Sequence, residues 1–275
     1  MPKKITIDHV EIHLCEPDDL PLEWVGRAEL LSELTAAWMM VDPADLPMNP
    51  RLIGKPGVGK TTLAYAAARA IGHDAYLFQA TMDTRPEDLI ITPVVGPNGT
   101  IQYAASAIVS AMVTGGVAIL DEGNRMSEKS WASLAPLLDR RRYVESLVAG
   151  LKIRAHGDFR FVATMNDDAS TFELPEYVHS RLMPMIVIDF PEAEEERAIL
   201  KQNLPFSDDD VLGYVVAFLQ AAHGADEPFT VRDGINVARY AIKRAKQAKT
   251  TVAKAHLVEA IQRTLGDEAV RYLKT

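Results

Sequence analysis

The sequence predicts an α/β fold, in which a parallel β-sheet flanked by helices is followed by a smaller helical domain. Short apolar runs with turn or helix signals after them are typical of buried parallel strands, and they begin near residues 52, 75, 117, 159 and 185. Strand alternating with helix indicates βαβ units. Beyond these runs, helical periodicity takes over at about 193–202, 209–222, 231–247 and 252–264. We therefore expect one domain at residues 1–191 and a second at 192–275.

The composition is that of a globular protein with a core of its own. The 275 residues are 48% hydrophobic and 24% charged, which allows substantial burial. The net charge of -9 disfavours a dedicated nucleic-acid binder, since phosphate contacts need a basic excess. The single cysteine, Cys15, cannot form an internal disulfide, so we expect a reducing compartment and assign it no role. At the start of the sequence, apolar residues alternate with polar ones, and this pattern predicts neither a signal peptide nor membrane insertion. We therefore expect a cytoplasmic protein.

Several further elements are predicted around the sheet. Residues 1–50 should contain a strand, a helix from Arg27 to about residue 40, and a proline-rich approach to the first buried strand. Helices are expected at 61–71 and at 128–138, the latter with Ser127 as N-cap. Two strand pairs interrupt the pattern, and we expect them to form hairpins that project from the core, near 89–104 around Asn98-Gly99 and near 142–156 across Gly150.

A glycine-rich loop follows the first buried strand and precedes an alanine-rich helix. Its residues are Gly54, Lys55, Pro56, Gly57, Val58, Gly59, Lys60, Thr61 and Thr62. The glycines permit positive φ and bring backbone N–H groups onto phosphates at a helix N-terminus. Lys60 should then contact the β- and γ-phosphates, and Thr61 should bind Mg²⁺. An incidental glycine turn with an exposed lysine is a weak alternative here, so the loop predicts ATP and Mg²⁺ as ligands.

An acidic pair, Asp121 and Glu122, follows the apolar run 117–120. The pair is expected at the carboxyl edge of the sheet, where α/β proteins bind ligands. Asp121 can hold Mg²⁺ through water, and Glu122 can polarise a water against the γ-phosphate. A kinase acting on a bound hydroxyl does not require this second group, so the pair favours hydrolysis. Such pairs alone are more often solvated loops, and the phosphate loop decides between the two interpretations.

Three residues have two interpretations each from the sequence alone. Asn166 ends the strand near 159–165 and either shares the attacking water with Glu122 or forms a turn. Arg181 either neutralises transition-state charge in a neighbouring subunit or makes a surface ion pair. Arg232 either reaches the nucleotide or only starts a helix. The later basic residues from 239 to 254 are more often one solvated helical face than a nucleic-acid patch.

The order of these motifs resembles the AAA+ ATPases, and within them the MoxR-like, dynein-related branch, over nearly the whole chain. The glycine-rich loop is similar to the Walker A motif, and residues 121–125 to Walker B. Residues 25–27 are similar to the segment that packs near the adenine, and residues 162–166 to the sensor-1 strand. Residues 174–182 are similar to the arginine-finger segment, and residues 231–235 to sensor 2. The two hairpins resemble the helix-2 insert and the pre-sensor-1 insert. The sequence departs from the family pattern at two positions: Gly123 stands where the family usually has an apolar residue, and Lys55 stands where it commonly has a proline.

This resemblance implies an α/β core with a helical lid, assembled as a homo-oligomeric ring, usually a hexamer, with ATP between subunits. It implies remodelling of a protein client, and often a partner with a von Willebrand factor A domain. It makes Glu122 the base, Asn166 the sensor, Arg181 the finger supplied in trans and Arg232 the second sensor. Arg125 and the cluster Arg140–Arg142 are further candidates for the trans arginine.

Two other functions fit parts of the sequence. A nucleotide-gated scaffold would bind ATP for assembly and turn over slowly, although Glu122 argues against complete inactivity. A nucleic-acid motor would use a pore lined by residues 140–142, Lys152, Arg154 and His156. A GTPase is disfavoured because no Asn-Lys-x-Asp base-reading motif occurs.

Overall fold

A computed structural model describes residues 3–21, 23–96, 99–167 and 174–273 of the protein. Internal contacts group the chain into two compact units. The α/β unit comprises Met1–Trp24, Ala28–Gly54 and Lys60–Ile188, and the helical unit comprises Val25–Arg27, Lys55–Gly59 and Asp189–Thr275. Most of the glycine-rich loop thus groups with the helices. The domain boundary at 191–192 stays a prediction.

Strands and short helices alternate along the α/β unit. Its first elements are β1 (Lys4–Ile7), β2 (Val10–His13), α1 (Ala28–Trp38), β3 (Arg51–Gly54), α2 (Lys60–Ala70), β4 (Ala75–Gln79), β5 (Ile91–Val95) and β6 (Ile101–Ala105). The others are α3 (Ala107–Thr114), β7 (Val117–Asp121), a 3₁₀ turn (Gly123–Arg125), α4 (Glu128–Leu134), β8 (Tyr143–Ser146), β9 (Leu151–Arg154), β10 (Arg160–Asn166), α5 (Glu176–His179) and β11 (Met185–Val187).

Five parallel strands form the central sheet, in the order β11-β3-β10-β7-β4. The central strand β10 is buried along its whole length. Trp38 at the end of α1 is tied to this strand, because its Nε1 donates a 2.9 Å hydrogen bond to the carbonyl of Phe161. Since all five strands run the same way, the residues that end them meet at one edge. The predicted parallel α/β fold is confirmed, and Gly54, Asp121 and Asn166 lie at that edge.

A second sheet joins the start of the chain to the first insert. Strands β1 and β2 pair antiparallel across Asp8 and His9, whose φ values of 44° and 71° suit a two-residue hairpin turn. β2 then pairs parallel with β6, which pairs with β5. The prediction of a single N-terminal strand is therefore wrong, because apolar alternation continues through a turn that lacks glycine.

The β5–β6 insert is confirmed as a hairpin, but it does not simply project from the core. Ile91 and Ala105, at its base, are buried in the main hydrophobic cluster. The expected Asn98-Gly99 turn lies partly outside the described residues. The β8–β9 hairpin forms as predicted, with Gly150 at φ 66° in its turn.

One helix prediction needs correction, and one helix of the structure has no predicted counterpart. α4 begins after the predicted N-cap Ser127, whose Oγ accepts from the Ser130 amide, but it ends at residue 134 rather than 138. Pro136 has no amide hydrogen to continue the helical ladder. Helix α3 was not predicted, since its residues are apolar on nearly every side and show no clear period. Its boundaries are set by Ser106, which caps the first turn, and by Gly115 at φ 79°.

The helical unit contains α6 (Ala193–Asn203), α7 (Asp209–His223), α8 (Val231–Gln247), α9 (Lys254–Leu265) and a 3₁₀ turn (Asp267–Tyr272). These helices agree with the predicted ones to within two residues. Their apolar faces share a core that includes Leu200, Phe218 and Leu257. Thr230 and Asp233 form a reciprocal capping box that starts α8. Across the described ranges, each helix is too short or too polar to span a membrane.

A buried carboxyl group lies inside this helical unit. Glu196 on α6 is completely buried, and its Oε2 accepts a 3.0 Å hydrogen bond from Gln220 Nε2. Within the described part of the chain, its Oε1 has no hydrogen-bond partner. Burial raises the pKa of Glu196 to about 7, although the Gln220 bond opposes this shift.

The raised pKa makes folding of the helical unit pH-dependent. The folded state binds the proton of Glu196 more tightly than the unfolded state does, so proton binding stabilises the folded state. This contribution to the free energy of unfolding is complete below about pH 4.5 and is lost as the pH rises through 7. We expect Glu196→Gln to be more stable than wild type at pH 8, by roughly 2 to 3 kcal/mol. Near pH 5, the free energies of unfolding of the two proteins, measured in urea, should become equal. Glu194→Gln, at an exposed position of the same helix, is the control; an equal effect there would contradict the assignment.

Candidate nucleotide-binding site

The glycine-rich loop connects the end of β3 to the start of α2. Lys60 is the first residue of that helix, is only 6% exposed, and donates a 2.8 Å hydrogen bond from Nζ to the carbonyl of Gly54. Thr61 and Thr62 follow it in the first turn. The amides of this turn have no partners within the helix, so the turn is suited to an anion.

The middle of the loop groups with the helical unit. Gly57 has a φ of 86°, and a Cβ there would lie 2.6 Å from Thr230 Oγ1, so any side chain would clash. Gly59 also has a positive φ, 99°. Between them, Val58 is buried, and the exposed Pro56 precedes them. These values explain why glycine is needed at both positions.

Two other predicted residues lie in the helical unit. Lys55 pairs with Asp226 at 3.4 Å, and its Nζ lies 5.0 Å from the centre of the Phe190 ring. Arg232 is exposed in the first turn of α8. Its suggested role toward the nucleotide stays a prediction.

Asp121 is held by two threonines at the end of β7. Thr61 Oγ1 donates a 2.7 Å hydrogen bond to Asp121 Oδ1, and Thr164 Oγ1 donates to the same oxygen. Thr164 is fully buried and also accepts from the Glu122 amide at 3.1 Å. The residues predicted for Mg²⁺, Thr61 and Asp121, are therefore in direct contact.

Glu122 stands at a sharp change of direction after β7. Its φ is 54°, in the left-handed region that is uncommon for a residue with a side chain. One carboxylate oxygen, Oε1, accepts a 3.2 Å hydrogen bond from Asn166 Nδ2, and the other, Oε2, lies 2.6 Å from Arg125 Nε. The structure thus brings Glu122 and Asn166 together, as the water-sharing interpretation requires.

The backbone of Asn166 is fixed by a second asparagine. Asn124 Nδ2 donates to the Asn166 carbonyl at 2.8 Å, and Asn124 Oδ1 accepts from the Asn166 amide at 3.3 Å. Both side chains are buried. Asn166 is thus the last residue of a central strand.

Arg181 lies between α5 and β11, with a side chain that is 27% exposed. Its Nη1 donates to the carbonyl of Tyr177 at 2.7 Å, and its Nη2 is 3.3 Å from Asp139 Oδ2. Arg141 binds the same carboxylate at 2.8 Å. The hydrogen bond from Arg141, opposed by burial and aided by Arg181, lowers the pKa of Asp139 to about 2.

Arg125 and Arg142, like Arg141 and Arg181, have contacts within their own subunit. Arg125 pairs with Glu122, and Arg142 is inserted against Phe159, donating to the carbonyls of His156 and Phe159. Burial lowers the pKa of Arg142.

Sequence reasoning missed three residues of the site. Thr164 is two positions before Asn166 on β10, so the two-residue period of a strand could have indicated it. Asn124 lies in the acidic motif itself. Asp139 has no sequence signal, because its arginine partner at 181 comes from a distant segment.

The residues fit a magnesium nucleotide. Hydroxyl and carboxylate oxygens are the ligands Mg²⁺ prefers, and it usually takes only one or two from the protein, with phosphate and water completing the shell. Thr61 and Asp121 provide such a pair, and the buried Lys60 lies beside the loop. The fold and this site together define a P-loop nucleotide-binding protein.

Comparison with known proteins finds a family similarity within this class. Residues 51–182, from the start of β3 to Leu182, match the family model of the AAA domain, dynein-related subfamily. Together with the similarity to MoxR described below, this match supports a MoxR-like AAA+ ATPase.

Individual relatives agree with this placement. The protein MoxR of Paracoccus denitrificans is 30% identical over 163 residues, which cover 58% of this chain and 47% of MoxR. An uncharacterised protein of Staphylococcus haemolyticus is 24% identical over 179 residues, covering 63% of this chain and 68% of that protein. The Holliday junction branch migration motor RuvB of Thermotoga maritima has a similar fold, with a TM-score of 0.59 at 16% identity, covering 87% of this chain and 70% of RuvB.

Proposed function

We propose that the protein hydrolyses ATP at sites shared between the subunits of a homo-oligomeric ring, a hexamer by family resemblance, and uses this reaction to remodel a protein client. The observation that carries the proposal is the contact of Glu122 with Asn166 beside the Thr61–Asp121 pair. This arrangement combines a carboxylate base, a polar group for water and a metal-binding pair.

Each residue has a distinct task in hydrolysis. Lys60 and the loop amides bind the phosphates, while Thr61 and Asp121 hold Mg²⁺, which when bound neutralises charge on the β- and γ-phosphate oxygens. Glu122 Oε1 takes a proton from the attacking water, and Asn166 Nδ2, 3.2 Å away, orients the water and the carboxylate. The Glu122 oxygen paired with Arg125 is the one less available to the water.

A second subunit enters the proposal because Arg181 lies at the end of β3 opposite to Gly54, where the glycine-rich loop begins. The carbonyl of Arg181 accepts from Asn49, just before β3, whereas the phosphate loop follows the other end of that strand. A four-residue strand spans roughly 13 Å, and the Arg181 side chain is turned toward Asp139 and Tyr177. Its guanidinium therefore suits the nucleotide of a neighbour, where an arginine finger is worth roughly 10³-fold or more.

The two hairpins support action on a protein client. Leu147, at the β8–β9 turn, is 94% exposed, and Val95 and Ile101, beside the β5–β6 turn, are 83% and 70% exposed. Large apolar side chains grouped at exposed tips suit contact with apolar segments of another protein. By family resemblance, the proposal includes a partner with a von Willebrand factor A domain that works with the protein.

The nucleic-acid alternative is weaker. Most cations of the predicted pore already have partners in their own chain: Arg141 binds Asp139, Arg142 binds backbone carbonyls, and Lys152 pairs with Glu145 at 2.9 Å. A phosphate backbone would have to displace these contacts, and the net charge of -9 opposes its approach.

The proposal is tested by steady-state ATP hydrolysis over a range of protein concentrations. Shared sites form only on assembly, so specific activity should rise with concentration and then reach a plateau. Lys60→Ala, which removes the phosphate-binding ammonium, should be inactive at every concentration and bind ATP at least roughly tenfold more weakly. Specific activity that does not change with concentration would exclude shared sites. Tight ATP binding without turnover would instead support the scaffold.

The client role is tested at the hairpin tip. Leu147→Asp should leave basal hydrolysis within about twofold of wild type, because the side chain has almost no contacts of its own. Stimulation of hydrolysis by a permanently unfolded protein, such as reduced and carboxymethylated α-lactalbumin, should be lost. Glu145→Gln on the same hairpin should keep it. Equal stimulation of Leu147→Asp and wild type would contradict client contact at this tip.

A further inference from the structure

The carboxylate of Asp139 accepts hydrogen bonds from two arginines, Arg181 and Arg141. Asp139 Oδ2 accepts from Arg181 Nε at 3.4 Å and from Nη2 at 3.3 Å. From the other side, Arg141 donates through Nη2 at 2.8 Å to Oδ2 and through Nε at 3.0 Å to Oδ1. One negative charge therefore serves two guanidinium groups.

The backbone around this cluster is fixed independently of the charges. Asn49 Nδ2 donates to the Leu138 carbonyl at 3.1 Å and to the Arg181 carbonyl at 3.4 Å. It thereby joins the segment that carries Asp139 to the segment that carries Arg181. The Arg141 amide also donates to Asp139 Oδ1 at 3.0 Å, which fixes the carboxylate within its turn.

The distances indicate how the charge is shared. The bonds to Arg141 are short, so this arginine takes most of the carboxylate's electrostatic attraction. The bonds to Arg181 are longer, and both go to Oδ2. They act together with the 2.7 Å bond from Arg181 Nη1 to the Tyr177 carbonyl, so that three nitrogens of the guanidinium are held. The cluster keeps a net charge of +1, and Arg181 remains able to attract a phosphate.

We propose that Asp139 is a positioning residue for Arg181, holding the guanidinium in the orientation from which it contacts the γ-phosphate of the neighbouring subunit. Because Arg141 also binds the carboxylate, Asp139 does not fully neutralise the positive charge of Arg181. This inference rests on the proposed role of Arg181 as a finger in trans. Asp139 itself touches no substrate.

The test compares kcat and KM for ATP in the assembled protein. Asp139→Asn keeps the size of the side chain and the Oδ1 acceptor but removes the charge. We expect kcat to fall roughly tenfold, because a misplaced group loses much of its effect, while KM stays within about twofold. In an Arg181→Ala background the same change should have no further effect, since two residues that act through one group are not additive. Glu145→Gln, which changes an exposed carboxylate paired with a cation, is the control and should leave kcat unchanged.

The outcomes separate this inference from the proposed function. Wild-type kcat in Asp139→Asn, with Arg181→Ala inactive, would overturn the positioning role alone. Wild-type kcat in Arg181→Ala would overturn the finger and this inference with it. A further loss in the double variant would show that Asp139 acts through something else. Asp139→Glu, which keeps the charge, should retain more activity than Asp139→Asn; the reverse order would also overturn the proposal.

Discussion

Replacing Glu122 with glutamine is expected to lower the turnover of ATP by roughly 10²- to 10⁴-fold while leaving ATP binding intact. The amide has the size of the carboxylate and can keep the contact with Asn166, but it cannot accept a proton from the attacking water. Phosphate release measures the loss, and calorimetric titration with ATP measures binding.

The control for this substitution lies a few residues away. Glu128→Gln changes an exposed carboxylate at the start of α4 and should leave turnover within about twofold of wild type. If Glu122→Gln keeps more than about a tenth of wild-type turnover, Glu122 is not the base. Weakened ATP binding in Glu122→Gln would instead indicate a disturbed site.

Replacing Arg181 with alanine should reduce turnover by roughly 10³-fold, and the loss should be repaired by mixing subunits. Each Arg181→Ala subunit still carries Glu122, and each Glu122→Gln subunit still carries Arg181. In a random mixture, roughly a quarter of the interfaces would combine the intact base of one with the intact arginine of the other. Two nearly inactive proteins should therefore regain substantial activity on mixing, measured by phosphate release after co-assembly.

Arg140→Ala is the matched control for this experiment, because Arg140 is an exposed arginine near the same cluster. It should keep wild-type turnover. Mixing that restores nothing, although light scattering shows mixed assemblies, would mean that Arg181 acts within its own subunit or only stabilises the fold. Loss of activity in Arg140→Ala, with Arg181→Ala active, would transfer the role to Arg140.

The sequence alone predicts those parts of the site whose residues are contiguous in the chain. The glycine loop, the acidic pair after β7 and the strand ending at Asn166 are contiguous patterns with a direct physical meaning, and the parallel sheet brings their ends to one edge. The helices of the second unit were predictable from their 3.6-residue period.

Other features depend on contacts between distant segments. The pairing of β2 with β6 joins residues about 90 positions apart, and no local pattern encodes it. The contact of Arg181 with Asp139 likewise depends on Asn49 joining two segments. The end of α4 is different: Pro136 was visible in the sequence, but the apolar run continues past it and masks the stop.

The pairing of the first hairpin with the insert has a mechanical consequence. Because β1, β2, β6 and β5 form one hydrogen-bonded sheet, a pull on the exposed Val95 at the end of β5 is transmitted across the sheet to β1 and β2. The insert cannot swing alone without breaking the β2–β6 ladder at Ile12 and His13. A fluorescent probe on Lys4, outside the site, would therefore report on movement of the insert during turnover.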